Sequence, residues 1–172
     1  MHLTMLAKPV CDRNIFKLIR KNKFRSIIEV GMTDGTRCEN MMRVAQKYGV
    51  STNVRYTGVD HFEARTEGKP LQLIEMHRKL KAYDAKTQLV PGDIGSAVSR
   101  IANSHVRTDL IVISAGYDQD ALESSWFYFP RMLHSRSLVL IQESAGSEFK
   151  TLTRLDVERL AEKRTPKTAA AA

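Results

Sequence analysis

The sequence predicts a three-layer α/β sandwich with a mostly parallel sheet. Five short apolar or β-branched segments, each followed by turn-forming residues, indicate strands, and the stretches between them carry apolar residues at helical spacing. Strands that alternate with helices of this length form βαβ units, because parallel neighbours need a crossover connection. Residues 110–113 (Leu-Ile-Val-Ile) lack polar alternation, which is typical of a central strand buried on both faces.

The predicted elements follow one another along the chain. Strands are expected at residues 26–30, 55–59, 87–90, 110–114 and 138–142. Helices are expected at residues 12–21, 34–48, 71–83, 94–103, 119–133 and 150–163. Asp12 suits the N-cap of the first helix, Gly49 suits the end of the second, and Pro130 is expected to bend or end the fifth.

The length of 172 residues suits one domain, which we expect to span residues 1–164. It would include a basic N-terminal region, residues 1–24, and be followed by a flexible tail, residues 165–172. Cys11 and Cys38 are too few for a disulfide framework and lie in no zinc-binding pattern, so no metal is expected. The apolar segments are too short to span a membrane, and no secretory signal is recognised, so a cytoplasmic location is expected.

The chain is basic, with a net charge of +8 and a pI near 9.7, which favours anionic partners. The excess is strongest near the N-terminus, where Asp12 is the one acid among the cations Lys8, Arg13, Lys17, Arg20, Lys21, Lys23 and Arg25. This helix is either a solvated surface or the basic face of an RNA-associated module. No motif of nucleic-acid recognition accompanies it, so nucleic acid is the lesser alternative.

Candidate ligand-binding residues follow the first predicted strand. In an open parallel sheet, ligands bind beyond the carboxyl ends of the strands. Here Glu29 is followed by a turn with Gly31, Met32, Thr33 and Gly35. The two glycines allow a tight turn and close approach of the backbone to a ligand, and the next helix begins with free N–H groups.

The next three strand ends carry further candidates. Asp60 follows the second strand, where an acid can accept hydrogen bonds from both ribose hydroxyls, and His61 beside it could stack near an adenosine or be only a surface residue. After the third strand, Asp93 could accept a hydrogen bond from an adenine amine, and Ile94 offers an apolar wall. Ser114 ends the fourth strand. Together these residues predict an adenosine site.

Several nucleotide-binding classes are excluded by their missing motifs. The turn does not read G-x-G-x-x-G, and the acid before it suits a cationic ligand group and would repel a pyrophosphate. There is no Tyr-x-x-x-Lys pair of the kind found in dehydrogenases. There is also no G-x-x-x-x-G-K-[ST] loop, so nucleotide hydrolysis is not expected.

Residues 25–143 resemble the class I S-adenosylmethionine-dependent methyltransferases, in the branch whose first motif is E-x-G-x-x-x-G, matched by Glu29, Gly31 and Gly35. The resemblance implies S-adenosylmethionine as cofactor, with the glycine turn around its methionine part and Asp60 on its ribose. The step that contains Asp93 would flank the adenine. It also implies a Rossmann-like α/β/α fold with strand order 3-2-1-4-5.

The chain departs from that family in three places. Ser114, Ala115, Gly116 and Tyr117 replace an Asp-Gly-x-His stretch, so a metal-dependent mechanism is not expected. Thr33 replaces a glycine. The chain leaves no room for the terminal antiparallel strand pair, so that hairpin is expected to be absent and the fifth strand to be an exposed edge, on which a homodimer could form.

Three functions remain open from the sequence, of which the RNA-associated module described above is the least favoured. The first is a methyltransferase with an unknown acceptor and no catalytic residue singled out by spacing. The second is a methyltransferase-like domain that binds or interacts without turnover.

Overall fold

The computed structural model describes residues 9–48, 53–66 and 68–164. Its strands are β1 (Ser26–Val30), β2 (Val54–Asp60), β3 (Ala85–Pro91), β4 (Thr108–Ile113), β5 (Leu133–Ile141) and β6 (Lys150–Thr153). Its α-helices are α1 (Asp12–Asn22), α2 (Thr36–Tyr48), α3 (Leu73–Leu80), α4 (Ile94–Ile101), α5 (Gln119–Ser125), α6 (Phe129–Met132) and α7 (Arg154–Arg164). A short 3₁₀ helix, Phe62–Ala64, follows β2.

The six strands form one sheet in the order β3-β2-β1-β4-β5-β6. The first five in this order are parallel, which confirms the predicted strand order 3-2-1-4-5. Val30, the last residue of β1, pairs with Val59 of β2 and Ile113 of β4. The carboxyl ends of the three central strands are therefore level, and the loops that follow them meet at one edge of the sheet.

Two hydrophobic cores cover the two faces of the sheet. Helices α1, α2 and α3 pack on one face, where Phe16, Met41 and Met76 are fully buried. Helices α4, α5, α6 and α7 pack on the other, where Val98 and Phe129 are fully buried. The protein is thus the predicted three-layer α/β/α sandwich.

The fifth predicted helix, residues 119–133, is two helices in the structure. Asp118 caps α5, since its carboxylate accepts a hydrogen bond from the N–H of Ala121 at 2.7 Å. Pro130 lies in the first turn of α6, where its missing N–H and fixed φ cost nothing. The proline therefore begins a short helix instead of ending a long one, and residues 133–137 lengthen β5.

Residues 150–153 form a strand, β6, although a helix was predicted there. The strand is antiparallel to β5, with Ile141 opposite Lys150 and Leu138 opposite Thr153. Only the Leu152 side chain is buried, in the core under α7. The prediction that a terminal antiparallel pair is absent was therefore wrong, because β6 forms such a pair with β5. Because β6 occupies the edge of β5, the homodimer hypothesis based on an exposed β5 edge loses its premise.

Residues 1–8 of the basic N-terminal region and the predicted flexible tail, residues 165–172, lie outside the described part of the chain. No helix within the described part has the length and apolar character that a membrane span requires.

Candidate ligand-binding cleft

A cleft of about 670 Å³ lies at the carboxyl edge of the sheet. We call it the ligand cleft. It is lined by residues from the ends of β1, β2, β3 and β4, as the common direction of these strands requires. Seven residues named from the sequence line it: Gly31, Thr33, Asp60, His61, Asp93, Ile94 and Ser114.

The turn after β1 shapes one wall of this cleft. Gly31 has a φ of +77°, and a Cβ there would lie 3.1 Å from the Cβ of Ser114, so the position favours glycine on both counts. Thr33 also has a positive φ, +55°, which is strained for a β-branched residue. The threonine that replaces a glycine of the family pattern is therefore held in a glycine-like conformation beside the cleft.

Asp60 has its carboxylate fully engaged. Its Oδ2 accepts the N–H of Met32 at 2.8 Å, and its Oδ1 accepts the N–H of Phe62 at 2.8 Å. The guanidinium of Arg65 adds one bond to each oxygen, Nε to Oδ1 and Nη2 to Oδ2, both at 2.6 Å. Burial opposes ionisation of Asp60, but these four hydrogen bonds outweigh it and hold its pKa below the usual value.

Arg65 also ties the loop after β2 to the turn after β1. Its Nη1 donates to the carbonyl oxygens of Thr33 at 2.6 Å and of Lys69 at 3.1 Å. The side chain therefore lies across the part of the ligand cleft that Asp60 occupies. Sequence reasoning missed Arg65, because the loop has no periodicity and no motif that marks an arginine as a partner of Asp60.

Asp93 and Ile94 form the far side of the cleft. Asp93 is the N-cap of α4, since its Oδ1 accepts the N–H of Ser96 at 2.9 Å and its Oδ2 accepts the Ser96 hydroxyl at 2.7 Å. These bonds lower the pKa of Asp93. Ile94 is almost fully buried, and His61 is exposed at the mouth.

Glu29 lies behind the cleft and does not line it. It is fully buried on β1, where its Oε2 accepts the hydroxyl of Tyr56 at 2.5 Å. Its Oε1 is 3.6 Å from Nη1 of Arg37 and is the one buried side-chain polar atom in the described residues without a hydrogen bond. Burial raises the pKa of Glu29 to about 7, although Arg37 and Tyr56 oppose this rise.

Arg37, from the first turn of α2, connects four elements beneath the glycine turn. Its Nε donates to Oδ1 of Asp12 at 2.9 Å, and its Nη1 donates to the Ser114 hydroxyl. That hydroxyl donates in turn to the carbonyl of Gly31 at 2.7 Å. The guanidinium also stacks on the ring of Phe149, 5.3 Å from its centroid. Arg37 and Asp12 are both buried, and neither was named from the sequence as a site residue.

A second cavity, of about 330 Å³, adjoins the ligand cleft, and we call it the polar cavity. It shares Thr33, Ser114 and Ala115 with the ligand cleft, so the two spaces are neighbours. Asp12, Asp34 and Arg37 line it, which places two carboxylates and one guanidinium on its wall. Burial raises the pKa of Asp12, although Arg37 opposes this rise.

A third cavity, of about 590 Å³, lies between α5, β6 and α7, and we call it the apolar cavity. Leu122, Trp126 and Leu160 line it, under a charged rim. Tyr117 lines both this cavity and the ligand cleft, so it stands where the two meet. Burial and the nearby charge of Glu143 raise the pKa of Tyr117.

Two residues named from the sequence are structural parts of the turn. Met32 is fully buried in the core under α2 and α3, and its carbonyl accepts the N–H of Gly35 at 2.9 Å. Gly35 is buried with a φ of +83°, and a Cβ there would press against the side chain of Met76. Neither lines the ligand cleft.

The two cysteine thiols lie close to this region and are both buried. Cys38 on α2 donates to the carbonyl of Gly35 at 2.9 Å, and Cys11 accepts the amide of Gln142 at 3.6 Å. Burial raises the pKa of both thiols. Among the residues that the structure describes, no three His, Cys, Asp or Glu side chains cluster as metal ligands would.

The fold is shared with solved structures of methyltransferases. A TDP-rhamnose 3'-O-methyltransferase of calicheamicin biosynthesis, in its apo form, matches with a TM-score of 0.61 at 15% identity, over 94% of this chain and 77% of its own. A Podospora anserina methyltransferase with SAH bound matches with a TM-score of 0.56 at 13% identity, over 80% of this chain and 53% of its own.

The O-methyltransferase TomG of tomaymycin synthesis, from Streptomyces achromogenes and in complex with SAM, matches with a TM-score of 0.54 at 11% identity. The match covers 93% of this chain and 69% of that one. The chain thus has the class I methyltransferase fold. No family model matches the sequence, and a search of curated proteins found no relative.

Proposed function

We propose that this protein is a methyltransferase that uses S-adenosylmethionine, with an acceptor that remains to be assigned. One observation carries the proposal: the ends of four successive strands converge on one cleft in a protein of this fold. The volume of about 670 Å³ is within the range of small-molecule sites.

The adenosine part of the cofactor would lie in the ligand cleft. Asp60 would accept hydrogen bonds from the two ribose hydroxyls, and Ile94 would contact the adenine ring, with Asp93 near its amine. The lining of the cleft supports this arrangement, because Asp60 ends β2 while Asp93 and Ile94 follow the adjacent strand β3, on one side of the glycine turn.

The chemistry of the donor set fits this cofactor on one condition. The two carboxylate oxygens of Asp60 each accept a hydrogen bond from Arg65, at the positions where the ribose hydroxyls would donate. If Arg65 moves away, the carboxylate keeps the N–H groups of Met32 and Phe62, which hold its orientation. The site therefore suits a ribose once the Arg65 side chain has moved away from Asp60.

The methionine part would extend into the polar cavity. An amino-acid group carries an ammonium and a carboxylate, and the cavity wall offers the carboxylate of Asp12 and the guanidinium of Arg37. This changes the role inferred for Glu29. Glu29 lines neither the ligand cleft nor the polar cavity, so it would act by holding Arg37 in place.

When bound, S-adenosylmethionine supplies a sulfonium methyl group, whose transfer depends mainly on alignment. Tyr117 would guide the acceptor, because it lies between the ligand cleft and the apolar cavity. An acceptor held against Trp126 would pass Tyr117 on its way to the ligand cleft. Tyr117 or Asp118 would serve as base where the acceptor carries a proton.

The test is calorimetric titration of the purified protein with S-adenosylmethionine and S-adenosylhomocysteine. We expect micromolar affinity for both, and a loss of about tenfold or more in Asp60→Ala, because the ribose would lose its acceptor. Asp120→Ala removes an exposed acid from α5, outside the ligand cleft, and is the matched control. Thermal melts would show that each variant is folded.

Binding together with methyl transfer in an acceptor screen would establish the enzyme. Binding without turnover on any acceptor tested would favour the second function, a domain that binds without catalysis. No heat and no thermal shift at millimolar ligand would overturn the proposal.

A further inference from the structure

Much of the net positive charge of the chain lies at the end of the sheet opposite the ligand cleft. Five segments lead into β1 to β5: residues 21–26, 53–55, 84–86, 105–109 and 131–136. We call their surface the basal face. These segments hold eight lysines and arginines and two aspartates, a net charge of +6. Most of the chain's total of +8 therefore lies on this one face.

The cations of the basal face are arranged across the sheet. Arg55 of β2 is in register with Ser26 of β1 and with Lys86 of β3, and its Nη2 donates to the Ser26 hydroxyl at 3.2 Å. Neighbouring strands lie about 4.8 Å apart, so successive strand ends space their charges at similar steps. The exposed cations are Lys21, Lys23, Arg25, Arg55, Lys86, Arg107, Arg131 and Arg136.

The acids on this face neutralise little of that charge. Asp109 accepts the backbone N–H groups of Arg25 at 2.8 Å and Ser26 at 2.9 Å, and its other oxygen is 2.9 Å from Nε2 of His134. The carboxylate of Asp109 therefore stabilises the start of β1 and is not paired with a cationic side chain of Lys or Arg in these contacts. The second acid, Asp84, is exposed at the β3 end. Burial lowers the pKa of His105, and the nearby charge of Arg55 lowers it further.

An aromatic pair borders the basal face. The guanidinium of Arg131 lies 5.2 Å from the ring centroid of Phe127 and 5.5 Å from that of Tyr128. Phe127 is 53% exposed, so its ring is accessible to a ligand. An exposed ring beside a row of cations is the combination on which single-stranded bases stack while their phosphates are neutralised.

We propose that the basal face binds the phosphodiester backbone of a single-stranded nucleic acid. The row of strand ends supplies the cations, and Phe127 supplies a stacking surface that does not depend on the base. An anionic membrane fits less well, because the exposed large apolar side chains at this face, Val106 and Phe127, do not form the continuous apolar band of a membrane-binding helix. The surface is separate from the ligand cleft, and the inference does not depend on the proposed methyltransferase activity.

The test is fluorescence anisotropy with labelled oligo(U) and oligo(dT) of about twenty nucleotides, which compares RNA with DNA. We expect micromolar binding at low salt that weakens steeply as salt rises. Arg107→Glu/Arg136→Glu should weaken binding by about tenfold or more and reduce the slope of log K against log salt by about 0.7 for each lost phosphate contact. Lys69→Glu/Lys163→Glu makes the same change of charge outside the basal face and should have little effect.

The outcomes separate this surface from a general effect of charge. Equal losses in the two double variants, no binding of either oligonucleotide, or binding of phosphatidylserine vesicles instead of oligonucleotides would each overturn the proposal. Should Arg107→Glu/Arg136→Glu fail to fold, photo-crosslinking of 4-thiouridine oligo(U) to the unmodified protein gives the answer. Crosslinks at Phe127 and the basal segments would support the proposal, and crosslinks elsewhere would contradict it.

Discussion

Arg65 binds Asp60 through both carboxylate oxygens, with two hydrogen bonds of 2.6 Å. Two backbone N–H groups, of Met32 and Phe62, occupy the same oxygens. The acid that we propose as the ribose acceptor is therefore satisfied from within the protein. Any ligand that uses Asp60 must first exchange with an arginine of the same chain.

Arg65→Ala should tighten the binding of S-adenosylhomocysteine. The wild-type protein must break a charge-assisted pair to admit the ribose, and a pair of about 1–2 kcal/mol corresponds to about a five- to thirtyfold gain in affinity when it is absent. Without ligand the variant should be less stable by about 1–3 kcal/mol, because Asp60 loses a partner. Calorimetric titration and urea unfolding measure the two effects.

Arg100→Ala is the control for this variant. Arg100 donates to the carbonyl oxygens of Pro91 at 2.6 Å and Ser96 at 3.1 Å, close to the ligand cleft. Its loss should leave the affinity for S-adenosylhomocysteine nearly unchanged. Weaker binding in Arg65→Ala would mean that Arg65 belongs to the ligand site, contrary to this interpretation.

Thr33→Gly should also increase the affinity for S-adenosylhomocysteine. The substitution removes a side chain that lines both the ligand cleft and the polar cavity. It also relieves backbone strain, because the φ of +55° is costly for threonine and not for glycine. Thr66→Gly, at another residue that lines the cleft, is the matched control. Equal affinities for Thr33→Gly and the wild type would show that the turn already admits the ligand.

Glu29→Gln should change how stability depends on pH. The pKa of Glu29 is about 7 in the folded protein, above the model-peptide value of 4.5, so the folded state binds more protons between these values. Stability of the wild type therefore falls as pH rises through this range, and the loss is nearly complete at about pH 8. The variant lacks this loss, so its stability relative to the wild type should increase by about 3 kcal/mol between about pH 4 and pH 8.

Urea unfolding at several pH values measures this difference. Glu75→Gln removes an exposed carboxyl from α3 and controls for the loss of one charge. A constant difference between Glu29→Gln and the wild type across the range would rule out a titrating Glu29 in the core.

Leu152→Ala tests the contribution of β6 to the fold. The Leu152 side chain is buried under α7, so its truncation should lower the free energy of unfolding by about 2–3 kcal/mol. Leu155 is three residues further along and 64% exposed, so Leu155→Ala should change it by less than about 0.5 kcal/mol. Similar losses in the two variants, measured by urea unfolding, would mean that β6 is not packed as described.

The sheet was predictable because its central strands, β1 and β4, are largely apolar and buried, and crossover helices separate its parallel strands. Glu29 marks a limit of the prediction from the sequence. Every residue of β1 is buried, so an acid in this strand had to be buried too, although the sequence led us to place it on the ligand. β6 could not be recognised, because Leu152, Leu155 and Leu160 recur at helical spacing and a four-residue strand has too little alternation to compete with that pattern.

Two of the side-chain partners in the site, Arg65 and Asp12, were beyond sequence reasoning. Asp60, Asp93 and Ser114 follow strands, and strand direction alone brings them to one edge. Arg65 lies in a loop and Asp12 on a helix that precedes the sheet, so their places depend on tertiary packing. The position of Arg37 could have been noticed in the sequence. It lies in the first turn of the helix that follows the glycine turn, so it stays close to the end of β1.

The buried thiols give the native chain two internal reporters of its own motions. A thiol reagent can modify Cys11 or Cys38 only when the surrounding structure opens, so the labelling rate of each measures a local opening equilibrium. Cys11 borders the polar cavity and would report movement of the first helix over it. Cys38 lies on the buried face of α2, in the core, and would report a larger unfolding event. The effect of a ligand on these openings could therefore be followed by mass spectrometry of the thiol-modified protein, without any substitution.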